Sequence, residues 1–289
     1  MKTKFKGHET FYFREGWLSK ALFNMIDGNS TTMFSHIKDG VSKLGVGANM
    51  VKSIKYWLTV TGLIRYRGRG YCLTQFGQLI SNYDLYIENE LTLWLLHFHL
   101  CTNRSEATTW YLFWNEFKAE SFETKDVEVV LTNYLNNNQV EFKESALKND
   151  IGVLLNMYSK TLGDDDPEEN IVCPLSKLNL ITQNQNVYEK KIPILQEGHE
   201  IIILYILSKS KNEDGYTYLE QGYMKLSQAE EILNKYMNLN RLLVNEYIDM
   251  LKNKYIKVEN TAGLDMIYFN ENLDVDHIIE EYYERGMNL

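Results

Sequence analysis

Only 3 prolines and 3 cysteines occur among 289 residues. So few prolines leave long stretches free to run as helix, because proline removes an amide donor and breaks a helix interior. Cys72, Cys101 and Cys173 lie far apart with no CxxC pair, which argues against both a disulfide framework and a zinc ribbon. Long apolar runs are also missing. The two most apolar stretches, LTLWLLHFHLC and IIILYIL, are too short to cross a bilayer. The start, MKTKFKGHETF, turns polar at once, so no signal peptide is expected and the chain reads as soluble and cytoplasmic, with no membrane partner. There is no P-loop, no GxGxxG fingerprint and no GxSxG elbow. His8-Glu9 lacks the second histidine that a zincin carries four residues after the first.

What is present begins with an uneven charge. The net charge of -9 by itself disfavours a nucleic-acid partner. Residues 1–80, however, carry 12 Lys+Arg and 4 Asp+Glu, a balance of +8, whereas residues 81–289 carry 18 and 35, a balance of -17. Phosphate binding needs a local positive face, not a positive molecule. The length suits two or three domains, and 44% apolar residues suffice for real cores. The expected division is 1–83, 84–193 and 194–289.

Within the basic part, residues 39–79 read as a helix, a tight turn, a second helix and a basic hairpin, the order of a winged helix-turn-helix. Upstream, residues 15–26 place Trp17, Leu18, Ala21, Leu22, Met25 and Ile26 on one helical stripe. Asp27-Gly28-Asn29 stops that helix, and Ser30 or Thr31 caps a short one carrying Met33, Phe34 and Ile37. In the helix-turn-helix, Val41 and Leu44 are the expected inward residues, Gly45-Val46-Gly47 is the turn, and Val51, Ile54, Trp57 and Leu58 face inward from the second helix. That leaves Asn49, Lys52, Ser53, Lys55 and Tyr56 outward. Arg65, Arg67 and Arg69 alternate along the hairpin, so an extended backbone sends all three one way. Lysine and arginine displace the counterions condensed on DNA phosphates, and the Asn49 amide suits an adenine edge. The alternative is a solvated basic surface used for protein contact.

From Asp84 onward the pattern is helical and rich in aromatics (Trp94, Phe98, Trp110, Phe113, Trp114, Phe117), a composition that reads as core. Residues 163–169 form an acidic run. Consecutive carboxylates on one loop diverge, so a loop is a better reading than a two-metal centre. Near the end, an apolar segment at 201–208, helices at 227–236 and 241–253, and strands at 255–258 and 266–269 echo the order of the head, with near-neutral charge. The fold class expected is therefore mainly α with small β-hairpins: an N-terminal winged helix-turn-helix, a helical middle domain and a second winged-helix-like or helical C-terminal domain.

The segment GHETFYFREGW gathers His8, Glu9 and Arg14 among aromatics. It reads either as part of a site or as a buried, salt-bridged anchor for the N-terminus. At GHETFYFREGWLSKAL, LGVGANMVKSIKYWLTVTGLI and CPLSKLNLI the chain resembles the SspB-like family, a bacterial family long labelled as of unknown function and associated with single-strand DNA phosphorothioation. The resemblance spans most of the first 180 residues. It implies a DNA-binding component of a sulfur-modification and anti-phage defence system, with duplex DNA and the other proteins of that system as partners, and an association with nicking of one strand. A nicking activity would call for Mg2+ or Mn2+, although the residues present no metal-ligand spacing, and it would give His8, Glu9 and Arg14 a role in a site. A homodimer would suit a two-fold DNA site. A transcriptional regulator without catalysis would use the same head, and a protein scaffold would leave it unused.

Overall fold

Apolar residues at helical spacing build the head. In the computed structural model, which describes residues 2–26, 32–68, 70–160, 172–196, 198–261 and 264–287, helix α1 (Trp17–Ile26) buries Leu18, Ala21, Leu22 and Met25, while Ile26 stays exposed. Helix α2 (Ile37–Leu44) ends where Gly45 adopts φ +64°, its amide closing onto the Val41 carbonyl at 2.9 Å. Helix α3 (Ala48–Val60) follows, then the antiparallel strands β1 (Ile64–Arg67) and β2 (Gly70–Leu73), with Tyr66 opposite Tyr71. Helix α4 (Gln75–Tyr83) starts on Thr74, whose hydroxyl accepts from the Gly77 amide. Gly77 cannot carry a side chain, because a Cβ there would lie 2.0 Å from the Leu63 carbonyl oxygen.

Two expectations in this stretch are corrected. Val41 is exposed, and the position facing α3 belongs to Gly40, where a Cβ would collide with Val51. Met33 and Phe34 are buried as expected but sit in turns, and Ile37 opens α2 instead of ending a separate helix.

Helix α5 (Glu90–Thr102) is apolar on nearly every side and is buried accordingly. Then come α6 (Thr108–Glu116), β3 (Ser121–Glu123), α7 (Thr124–Asn137), α8 (Glu144–Ser159), a 3-10 turn (Pro174–Leu178), β4 (Ile181–Asn184) and β5 (Val187–Lys190). The three strands form one antiparallel sheet in the order β3-β5-β4. The middle region is therefore not helical alone. Its strands are three and four residues long, and β4 turns into β5 through Gln185-Asn186, with Gln185 at φ +54°.

The chain divides into two compact units, Met1–Lys191 and Ile192–Leu289. The head and the aromatic helices after Asp84 share the first unit. Trp57 of α3 meets Trp110 of α6 edge to face at 5.2 Å, and the Asn103 amide donates to the Val60 carbonyl.

The second unit runs α9 (Glu200–Lys209), α10 (Tyr218–Gln221), β6 (Tyr223–Lys225), α11 (Leu226–Met237), α12 (Arg241–Leu251), β7 (Ile256–Thr261), β8 (Leu264–Phe269) and α13 (Val275–Met287). Its sheet order is β6-β8-β7. Helix, short strand, two helices and a hairpin thus occur twice, in α6–β5 and again in α9–β8, where the four-residue α10 is added before the short strand. In both sheets the last strand lies between the other two. Even the details repeat. The amide of Glu123 is capped by Asp126 and that of Lys225 by Gln228, while Val127, Leu131 and Leu135 are buried like Ala229, Leu233 and Met237, 102 positions on.

The expected helix stop and cap at 27–31, Arg69, the acidic run at 163–169 and residues 262–263 lie outside the described residues. Among the described residues, no helix is long and apolar enough to cross a membrane.

Candidate nucleic-acid interface

Helix α3 divides into two faces. Val51, Ile54, Trp57 and Leu58 are buried, as their spacing requires. Asn49 is exposed, and Lys52 and Lys55 are partly so. Ser53 and Tyr56 correct the sequence reading, for both are buried. The cause is a segment remote in sequence. Residues 4–11 lie across α3, and the Phe11 carbonyl accepts from the Trp57 indole at 2.9 Å and the Ser53 hydroxyl at 3.3 Å. The Tyr56 hydroxyl donates to the Glu106 carbonyl at 3.0 Å. At Gly7 a Cβ would sit 2.4 Å from the Tyr56 ring, so only glycine lets the segment pass.

The arm adds cations to the lysine face. Lys4 lies 5.4 Å from the Tyr56 ring centroid, and Lys55 lies 5.7 Å from that of Tyr71. Burial lowers the Lys55 pKa from the ordinary lysine value, and the positive charges of Lys4 and Lys52 lower it further. Three ammonium groups therefore crowd one surface. Lys52 is partly balanced by Glu9 at 3.5 Å and bonds the Asn49 side-chain oxygen at 3.2 Å. Lys4 and Lys2 share Glu106. Burial pushes the Glu106 carboxyl up, but the hydrogen bonds and charges of these two lysines outweigh it and hold it below the usual range. Lys55 has no ion-pair partner among the described residues.

The hairpin arginines stand elsewhere. Arg65 and Arg67 are exposed and share a face, as alternation demands. The opposite face carries Tyr66 and Tyr71, whose rings meet at 5.4 Å, and that is the face Lys55 overlies. The lysines and arginines were expected to present one continuous surface. The odd–even register of the strand puts Lys55 and the arginines of β1 on opposite sides of the hairpin instead.

His8, Glu9 and Arg14 do not converge. The His8 ring is wholly buried, stacked on Trp57 and edge-on to Trp110 and Tyr56. Its Nε2 bonds Asp150 of α8 at 2.9 Å, and its Nδ1 has no hydrogen-bond partner among the described residues. Asp150 also accepts from the Lys6 amide and the Thr109 hydroxyl, both at 2.9 Å. Glu9 turns outward to Lys52, while the Arg14 guanidinium lies 5.1 Å from the Trp17 centroid and 5.6 Å from that of Phe11. Lys6, Glu9 and Thr10 hold φ of +57°, +52° and +76°, a strained conformation for side-chain-bearing residues and above all for β-branched Thr10. This is the geometry of a locked anchor, with His8 sealed from any substrate. The sequence reading missed Lys4, Glu106 and Asp150. Alternation of Lys2, Lys4 and Lys6 was the available sign of a cationic arm.

Among the described residues, no group of three or more His, Cys, Asp or Glu side chains could hold a metal ion. The described residues thus do not fit a metal centre.

Fold and surface together define a mainly helical protein with small antiparallel sheets and a lysine-faced helix at the head. The chain belongs to a family described as a protein of unknown function (DUF4007), whose model matches residues 5–283. Two solved structures are similar to it, a crystal structure of SspB and one of magnesium ion-bound SspB. Each is 21% identical in sequence, with a TM-score of 0.81, over 97% of this chain and 88% of the other. At that identity the likeness shows the fold. No curated protein matches the chain significantly.

Proposed function

We propose that this chain is the duplex-DNA-binding component of a bacterial phosphorothioation and defence system, and that its head works as a winged helix-turn-helix. One observation carries the reading. Lys4, Lys52 and Lys55 are held together against their mutual repulsion, and a polyanion would relieve it. Asn49, whose side-chain oxygen accepts from Lys52, would offer its amide group to a base edge. Family membership and the SspB-like fold support the system context. The reading concerns binding. Strand nicking is left to a direct assay, in which supercoiled plasmid with Mg2+ or Mn2+ is scored for the open-circle form.

The binding role predicts a linear fall of log affinity with log salt. Replacing Lys52 and Lys55 by alanine removes two phosphate contacts and should flatten that slope by about 1.8 on B-DNA. An unchanged slope moves the reading to a protein scaffold. A proton-linked effect should accompany it. Phosphate binding raises the lowered Lys55 pKa back up, so complex formation takes up a proton. Duplex affinity should therefore fall as pH rises through the free-state value, earlier than for an ordinary lysine. Lys55→Arg, which cannot lose its charge in that range, should abolish this alkaline decline.

A further inference from the structure

The twofold occurrence of one strand–helix–helix–hairpin arrangement supplies an internal control for surface chemistry. In each sheet apolar residues at inward positions serve packing. Phe122 and Tyr188 fill them in the first copy, and Met224, Ile256 and Ile267 in the second. The outward positions answer to no such demand. In the first copy, the outward row across β3, β5 and β4 is Ser121, Glu189 and Thr182, and the next row is Glu123, Val187 and Asn184. In the second copy, the matching rows across β6, β8 and β7 are Tyr223, Tyr268 and Lys257, then Lys225, Met266 and Glu259. The fold stands with serine, threonine and glutamate at these places, so architecture does not explain two tyrosines and two lysines.

Both tyrosines are exposed, Tyr223 at 45% and Tyr268 at 36%, and their ring centroids lie 6.3 Å apart. Lys225 and Lys257 beside them are exposed and make no ion pair with a described residue. Elsewhere in this acidic unit most basic residues are paired, Lys209 with Asp276, Lys235 with Glu231, Arg241 with Glu230 and Arg285 with Glu281, while Lys211 is exposed and makes no ion pair with a described residue. Lys252 and Lys254, just before β7, are also exposed, and Lys254 lies over Tyr255. Two uncompensated cations, Lys225 and Lys257, thus share the outward rows of an exposed aromatic pair.

We infer that the outer face of the β6-β8-β7 sheet is a binding site for unpaired nucleobases of a single-stranded nucleic acid. Tyr223 and Tyr268 offer flat apolar faces, and bases stack on such faces with little regard to sequence. Lys225 and Lys257 lie close enough to meet the backbone phosphates flanking two stacked bases. The site belongs to the second unit and the lysine face of α3 to the first, and it does not depend on the duplex reading of the head.

The test is fluorescence anisotropy of the full chain with short labelled oligothymidylate, oligouridylate and a duplex of the same length. Wild type is expected to bind the single strands. Tyr223→Ser/Tyr268→Ser should weaken that binding by about ten- to a hundredfold, given the usual worth of base–aromatic stacking, and leave duplex binding unchanged. Lys225→Glu/Lys257→Glu should weaken it through charge alone, which guards against a folding defect in the tyrosine variant. Lys52→Ala/Lys55→Ala should do the reverse, weakening duplex binding and sparing the single strands. The ratio between the two oligonucleotides tells whether DNA or RNA is preferred. No single-strand binding by wild type, or equal binding by the tyrosine variant, overturns the inference. Loss of duplex binding alone leaves it standing.

Discussion

The sheet closed by Lys190 and the sheet closed by Phe269 share strand order, capping and buried spacing, yet they differ in what they carry. The first copy, α6 to β5, turns polar and acidic residues outward and is fastened to the N-terminal arm through Asp150. The second, α9 to β8, turns tyrosine and lysine outward, and the α12 position matching Asp150 is Tyr247, which is only partly buried. Inside, the contrast runs the other way. Lys190 occupies the register position of Phe269 and is surrounded by Phe113, Trp114 and Phe117 at 5.2, 5.7 and 5.5 Å, with its ammonium donating to the Phe117 carbonyl at 2.7 Å. Shared inward residues specify an architecture, and the departures from it mark positions answering to something else.

The largest expected effect comes from cutting the anchor that only the first copy has. Asp150→Ala leaves the Lys6 amide, the Thr109 hydroxyl and His8 Nε2 without their acceptor in a buried site. It should cost about 2–4 kcal/mol in urea or thermal unfolding. A loss below about 0.5 kcal/mol would show that the arm is not fastened there.

Lys190 comes next. Burial, aided by the charge of Lys118, lowers its pKa to about 8, against the opposing pull of Glu120. Its folded-state value thus lies below its unfolded one. The penalty of burying the ammonium is fully present below pH 8 and is relieved as pH rises from there toward the unfolded value, where the unfolded chain still binds the proton. Lys190→Met should therefore gain on wild type near neutral pH, by on the order of 1–2 kcal/mol after the lost hydrogen bond is counted, and the gain should shrink above pH 9. A gain that does not change with pH would break the comparison with Phe269.

The smallest effect is expected where the two sheets differ most visibly. Giving the second sheet the outward residues of the first, Tyr223→Ser with Tyr268→Glu, removes one exposed cross-strand pair and should change stability by no more than about 1 kcal/mol. A larger loss would make the tyrosines structural and remove the reason to assign them a ligand.

Much of the head was legible because its signals are local. The inward residues Val51, Ile54, Trp57 and Leu58 follow from helical period, and the hairpin from glycines beside alternating residues. Ser53 and Tyr56 were misread because what buries them is the arm at 4–11, about forty residues away in sequence. His8 reads as either site or anchor from sequence for the same reason, since Asp150 lies 142 residues on. The middle sheet is not legible in the sequence because a strand of three residues, Ser121–Glu123, is too short to show alternation. Alternation puts Arg65 and Arg67 on one face, but a single strand does not reveal which face of the hairpin looks toward α3. The partners of the lysine face, Glu9 and Glu106, are likewise non-local.

The central claim is that the cationic surface belongs to α3 and the arm rather than to the hairpin as a whole. The salt dependence of duplex affinity, measured side by side for Lys52→Ala/Lys55→Ala and Arg65→Ala/Arg67→Ala, tests it most directly. The account predicts that the lysine pair flattens the log–log slope by about 1.8 and the arginine pair by clearly less. Equal flattening, or a larger effect of the arginines, would contradict it.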